Sequence, residues 1–402
     1  MTRITSLLQT TNNSRMIKKK LTRITIFSHF NLLMCHLGLR AMTNSYKNTL
    51  ALLLLILLAS CTSTDKKDVG VTFKKSYNLE HKAYDTELLI SRGRIAVINN
   101  FLIVISSEQE SFGKVYSIPN NMKEVYSFGR KGNGPGEFIQ PLLTYSHDNT
   151  FGLNELNKQE LAIMQLTNSN GNISIDEQTR LKAPYNLRKG EIVPPDRHFT
   201  KLDETHYVSI VLADDGRFFS LLDSTLSHIN QFGESPIAEK LPELTYMNRL
   251  QGKIAANDGS MVFATSNLPY LASYKLKNNE MQKQWGLYYD QAYYGVRNGD
   301  LLFDKEKSFG QVLDLKMDSR YIYILYLDQL LSEYDYYNTE KSLANKILVF
   351  NHQGDAVAKL HLSCRISYMA LSSDQAKLFG LAQLPEPTFV EFDLPIELKN
   401  KH

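Results

Sequence analysis

Residues 128–138 read FGRKGNGPGEF, with glycines at Gly129, Gly132, Gly134 and Gly136 and two cations, Arg130 and Lys131, between the first pair. Glycine density beside cations is what a phosphate-cradling loop looks like. The reading of this stretch therefore decides between a nucleotide enzyme and something else. A Walker-type loop needs Gly-Lys followed by Ser or Thr, and it opens a helix. Here Gly136 is followed by Glu137, and strand-like runs stand on both sides. A dinucleotide fingerprint needs a strand–helix–strand unit, and no helical periodicity of any length is present to supply one. The stretch reads as a turn that ends one β unit and starts the next.

Outward from that turn the same organisation repeats. Short runs rich in Val, Ile, Tyr, Phe and Thr alternate with Asn, Asp, Ser and Gly. A strand–turn–strand pattern recurs around Asn99, Asp148, Asp203, Asp258, Asp318 and Asp374, spaced about 49 to 60 residues apart. Asn and Asp tolerate the positive φ that tight hairpins require. Most units carry two further strand-like runs, such as KVYSI and KEVYSFG in the first and YLASYKL and EMQKQWG in the fourth. Three of the outermost runs finish on an aromatic and a glycine: Phe128-Gly129, Phe232-Gly233 and Trp285-Gly286. Four antiparallel strands per unit, repeated radially, make a β-propeller. The expected fold is all-β, a six-bladed β-propeller of four-stranded antiparallel blades over residues 69–402. The sixth unit has only three runs before the C-terminus. GVTFKKSY, near residues 70–77, is expected to complete it as the N-terminal closing strand and so remove an exposed edge.

FGRKGNGPGEFIQP resembles the blade junction of NHL-type repeats, in which Phe-Gly leads through a glycine-rich turn to Gly-Glu-Phe and a proline. It is similar above all to the TolB-like, NHL-like six-bladed propeller lipoproteins of Gram-negative bacteria. QFGESPI at 231–237 is a remnant of the same motif. The resemblance implies fold and location rather than an activity. Some propellers related to that group are metal-dependent lactonases or lyases, but their ligand sets have no counterpart in this chain. No metal and no cofactor are expected.

The N-terminal segment carries a separate message. Residues 50–58, LALLLLILL, are too short to cross a bilayer as an ordinary helix. They follow Lys47 and lead into Leu58-Ala59-Ser60-Cys61, which resembles a bacterial lipobox. That resemblance implies cleavage before Cys61 and a lipid on its sulfur. Residues 42–60 are then a signal peptide starting at Met42, 61–68 a polar tether and 1–41 an upstream extension. The expected location is the cell envelope, anchored by lipid at the outer membrane. Residues 1–61 hold eight basic residues and no acidic ones, which leaves 37 Lys+Arg against 42 Asp+Glu. A mildly acidic remainder removes the electrostatic support for nucleic-acid binding. After processing only Cys61 and Cys364 remain, so an internal disulfide is not expected, and Cys364 reads as a buried small hydrophobe.

In a propeller, the loops between blades and those joining second to third strands share one face. Arg130 and Lys131 follow the first unit, and Arg197 precedes the third beside Arg188 and His198. Tyr289, Tyr293, Tyr294 and Arg297 follow the fourth, and Tyr334, Tyr336 and Tyr337 interrupt the fifth. Tyrosine and arginine supply contact area with a polar handle, so this face is the candidate binding surface for an envelope protein, a peptide or a glycan. Asp203, His206, Asp214 and Asp215 lie close in sequence but on different strands and turns, and His206 reads as structural. No zinc-ligand or Gly-x-Ser-x-Gly spacing occurs. A monomeric binding module is expected; the alternative is a hydrolase or lyase at the channel mouth. Carboxylates converging from three or more blades would favour that enzyme.

Overall fold

The computed structural model describes residues 70–85, 93–106, 110–155, 157–182, 187–188, 191–192, 197–211, 217–239, 241–242, 250–335 and 338–399. Two strands come first, β1 (Lys75–Leu79) and β2 (His81–Ala83). Blade 1 follows as β3 (Arg94–Ile98), β4 (Phe101–Ile105), β5 (Gly113–Ser117) and β6 (Lys123–Phe128). Blade 2 is β7 (Pro141–His147), β8 (Thr150–Glu155), β9 (Glu160–Ser169) and β10 (Asn172–Lys182). A short pair, β11 (Leu187–Arg188) and β12 (Glu191–Ile192), precedes blade 3. That blade is β13 (Arg197–Lys201), β14 (His206–Ile210), β15 (Phe219–Asp223) and β16 (His228–Phe232). Blade 4 is β17 (Gly252–Asn257), β18 (Ser260–Thr265), β19 (Tyr270–Lys277) and β20 (Glu280–Tyr288). A separate hairpin, β21 (Tyr294–Arg297) and β22 (Asp300–Phe303), stands between blades 4 and 5. Blade 5 uses β23 (Val312–Met317), β24 (Tyr321–Tyr326), β25 (Ala344–Asn351) and the first half of β26 (Ala356–Leu371). Blade 6 uses the second half of β26 with β27 (Lys377–Gln383) and β28 (Pro387–Asp393). Helix is confined, among the described residues, to one turn, α1 (Thr339–Ser342).

Strand rank explains composition. The second strand of each blade is covered on both faces by neighbouring blades, so it reads as a nearly continuous apolar run. FLIVI in β4 is buried at every position. The outer strand β6, KEVYSF, is exposed at most positions and polar to match. Six apolar cores then lie between successive blades and close the ring. Phe128 and Phe151 belong to the core between blades 1 and 2, and Phe199 and Tyr207 to that between 2 and 3. Phe219 and Phe263 join 3 to 4, and Val262 and Phe350 join 4 to 5. Leu325 and Phe392 join 5 to 6, and Leu102 and Phe379 bring blade 6 back to blade 1.

The N-terminal segment completes the last blade, but with different residues from those the pattern suggested. β2 adds antiparallel to β28 through His81↔Phe392 and Ala83↔Val390. β1 instead runs parallel along β26, with Lys75↔Ala358 and Leu79↔Leu362, and covers the outer edge of blade 5. The reason is β26 itself. It runs from the rim of blade 5 into the inner position of blade 6, and its outer edge would otherwise stay open. Leu79 is buried in the core of blades 5 and 6 and Tyr77 packs against it, so alternation seats β1 there.

The six hairpin turns solve one geometric problem in two ways. Asn99, Asp148 and Asp258 take positive φ (53°, 50° and 46°). Asp203 and Asp318 cap their turns with their carboxylates instead. Asp203 accepts the Thr205 and His206 N–H groups at 2.8 and 2.9 Å, and Asp318 accepts those of Arg320 and Tyr321 at 2.7 Å. Asp374 likewise accepts the Ala376 N–H at 3.0 Å.

Candidate functional site

The glycine-rich junction is a clasp between blades 1 and 2. Gly129 has φ +76°, and a Cβ there would lie 2.1 Å from the Phe112 ring, so no other residue fits without displacement. Phe138 N–H donates to Arg130 O and Gly132 N–H to Phe138 O, both at 3.0 Å, which pins the loop on itself. Buried Glu155 accepts the Ile139 and Gln140 N–H groups (2.6 and 2.8 Å), and Lys158 Nζ donates to Glu137 O at 2.7 Å. Phe138 is wedged edge-on against Phe112 (5.0 Å between centroids), with the Arg180 guanidinium 4.5 Å from its ring. The glycines thus serve packing, and Arg130 and Lys131 point away as exposed side chains.

The innermost strands of all six blades enclose a central cavity of about 180 Å³. Arg94 comes from β3, Tyr145 from β7, His198 from β13, Lys253 from β17, Asp314 and Lys316 from β23, and Tyr368 from β26. His198 has φ +62° at a register shift in β13, so the bulge re-aims this stretch of the wall. Arg94 Nη1 donates to Leu143 O at 3.0 Å, while its Nε is buried with no partner among the described residues. Asp314 accepts the Leu315 N–H (2.9 Å) and the Met369 N–H (3.1 Å), and it lies 3.3 Å from Lys316 Nζ. Burial, together with Arg94, lowers the Lys253 ammonium to about 8.

On the side of the six hairpin turns the cavity widens into a mouth of about 430 Å³, where Asp148, Asp203, Glu204, Asp258 and Asp318 converge from four blades. This is the arrangement that would favour catalysis; two of its five carboxylates, Asp203 and Asp318, cap turns, and Glu204 pairs with Lys201. Burial works to raise the Asp203 carboxyl, yet the Thr205 N–H and His206 hold it below the usual range. His206 Nδ1 sits 3.0 Å from Asp203, inside the same turn. Tyr323 Oη donates to the buried Asp318 at 3.0 Å. Among the described residues no group of three His, Cys, Asp or Glu side chains is placed to hold a metal ion. Cys364 is buried in the core of blades 5 and 6, and burial raises its thiol to about 11, away from nucleophilic chemistry.

On the opposite side, β21 and β22 form a two-stranded sheet of their own, paired as Tyr294↔Phe303 to Arg297↔Asp300. Leu301 is fully buried and anchors the hairpin to the core of blades 3 and 4. Tyr293, Val296, Leu302 and the neighbouring Phe309 stay exposed, at 39, 36, 45 and 49 %.

The model of the TolB-like 6-blade propeller-like family matches residues 72–374 of this sequence. The chain belongs to the TolB-like six-bladed propeller family. Two solved structures illustrate the shared fold. One is a Bacteroides fragilis protein described as a candidate exported protein, 12% identical, with a TM-score of 0.50 over 79% of this chain and 98% of that one. The other is a DUF4221-family member from Bacteroides vulgatus, 11% identical, with a TM-score of 0.50 over 81% of this chain and 97% of that one. No curated protein matches the chain.

This TolB-like chain distributes the residues singled out by sequence rather than gathering them. Arg130 and Lys131 sit at the blade 1–2 junction, three blades around the ring from the β21–β22 hairpin. Tyr289 is buried between Tyr326 and Phe350, and burial holds its phenol well above the ordinary value. Tyr294 is half-buried against the core of blades 3 and 4, whereas Tyr293 and Arg297 are exposed. Tyr334 packs on the core of blades 5 and 6. Arg197 opens β13, its backbone paired with Ile210; Tyr336, Tyr337 and Cys61 lie outside the described residues. The channel cations Arg94, Lys253 and Lys316 were missed. Their only signal is a charge inside the otherwise apolar first strand of a unit, one unit at a time.

Proposed function

We propose that this chain is a cell-envelope interaction module, held at the outer membrane by lipid on Cys61, that takes an extended segment of a partner protein along the β21–β22 hairpin. The observation that carries this reading is the hairpin itself. Among the described strands its two-stranded sheet pairs with no third strand, and four of the nine exposed large hydrophobic side chains among the described residues lie on or beside it. An open strand edge supplies backbone hydrogen bonds to an added strand, and alternate side chains supply specificity. Arg297 and Tyr293 give that surface a polar handle at each end of β21. The enzyme alternative rests on the convergence of carboxylates from four blades at the channel mouth, of which Asp203 and Asp318 are committed to capping turns.

Replacing Val296, Leu302 and Phe309 together by serine tests the partner claim. Co-purification from cross-linked envelopes is expected to lose one discrete partner while the melting temperature stays within a few degrees. An unchanged set of partners overturns the reading. Anchoring is tested separately by palmitate labelling: Cys61→Ser is expected to abolish the label, and persistent labelling refutes a lipid at that sulfur.

A further inference from the structure

The wall of the central cavity carries more cations than carboxylates. Arg94, Lys253 and Lys316 face the cavity from three strands, against the single carboxylate of Asp314. That carboxylate is already shared among two backbone N–H groups and Lys316. Among the described residues the Lys253 ammonium meets neither a hydrogen-bond nor an ion-pair partner, and the buried Arg94 Nε has none. Like charges enclosed together repel, and enclosed donors without acceptors are costly. The space beside them is also lined by Thr200 from β13 and by Thr144 from β7, whose hydroxyl already donates to Gly152 O at 3.3 Å.

We infer that the central cavity is a binding site for a small oxyanion, a carboxylate- or phosphate-bearing molecule held between Arg94 of blade 1 and Lys253 of blade 4. Two donors from opposite blades would clamp an oxyanion by charge-assisted hydrogen bonds, with Lys316 and Thr200 lining the same space. A cavity of about 180 Å³ has room for a compact molecule. The site is independent of the hairpin, which lies on the outside of the ring. It has a pH signature. The groups facing Lys253 are Arg94, Asp314, Lys316, His198, Tyr145 and Tyr368, and Lys253 is the cation among them held near 8. Affinity therefore falls as pH rises through that value and Lys253 loses its proton.

Calorimetric titration of the purified full chain with inorganic phosphate and with succinate at neutral pH is the test. Saturable one-to-one binding of at least one of them is expected. Lys253→Met should weaken it by about tenfold or more, the scale of one charge-assisted hydrogen bond. The same variant should melt no lower than the wild type, which separates lost binding from lost folding. The phosphate and succinate arms assign the oxyanion class. Absence of saturable binding for both anions at millimolar concentration overturns the inference, as does equal affinity in Lys253→Met. A selenate-soaked crystal gives a second reading: a peak between Arg94 and Lys253 supports the site, and peaks confined to the outer surface contradict it.

Discussion

The β21–β22 hairpin and the channel wall depart from ordinary residue partition in opposite directions. The hairpin leaves Leu302 and Phe309 in solvent, whereas the wall turns Arg94 and Lys253, both half-buried, towards the central cavity. Single exposed apolar residues mean little, but a group of them on an open sheet edge marks a surface meant to be covered. Cations whose donors are only partly satisfied mark a space meant to be filled. The difference teaches what each region suits. An open apolar edge fits another polypeptide, and a small basic enclosure fits a compact anion. Between them lie the six inter-blade cores, which follow the normal rule and hold the ring together.

That contrast sets the order of the expected effects. Phe138→Ala should cost the most stability, about 3–5 kcal/mol, because it empties a buried site packed against Phe112 and Arg180. Denaturant unfolding measures it, and a loss near zero would show that the glycine-rich junction does not lock blades 1 and 2. Lys253→Met should act in the other direction. The Lys253 ammonium falls from 10.5 to about 8 on folding, so below pH 8 the folded state carries a penalty that fades as pH climbs towards 10.5. Each tenfold loss of proton affinity corresponds to about 1.4 kcal/mol, so at neutral pH the variant should gain up to roughly 3 kcal/mol. Wild type should gain stability across that alkaline window and the variant should not. A destabilised variant would break the contrast, since Lys253 would then be serving the fold. Leu302→Ser should change stability by no more than about 0.5 kcal/mol, the usual range for an exposed position, while still weakening partner capture. A large loss of stability there would mean that the side chain belongs to the core.

Much of the fold was legible because each blade announces itself with a turn. The Asn and Asp residues at the hairpins are required by positive φ or by side-chain capping, and either need shows in sequence. The junction was legible for a similar reason, since Gly129 admits no side chain beside Phe112. Pattern reading failed where position depends on a neighbour. Trp285-Gly286 is not a strand end: β20 continues to Tyr288, and Trp285 Nε1 donates to His352 O of blade 5 at 2.8 Å. The closing strand slipped from 70–77 to 81–83 because β26 offers an edge that only the assembled ring reveals. Tyr289 and Tyr293 are four residues apart, yet one is buried and the other exposed, which composition cannot distinguish. The channel cations are separated by more than 150 residues in sequence, from Arg94 to Lys253, and only ring closure brings them to one wall.

The proposed role stands or falls on what meets the β21–β22 hairpin. Photo-crosslinking from position 302 in intact envelopes, compared with position 125 on the outer strand of blade 1, asks this most directly. Leu302 and Val125 are both exposed apolar residues, at 45 and 36 %, so solvent access alone does not separate them. The account predicts one discrete crosslinked partner band from position 302 and none from position 125. No product from 302, or the same products from both positions, would contradict it.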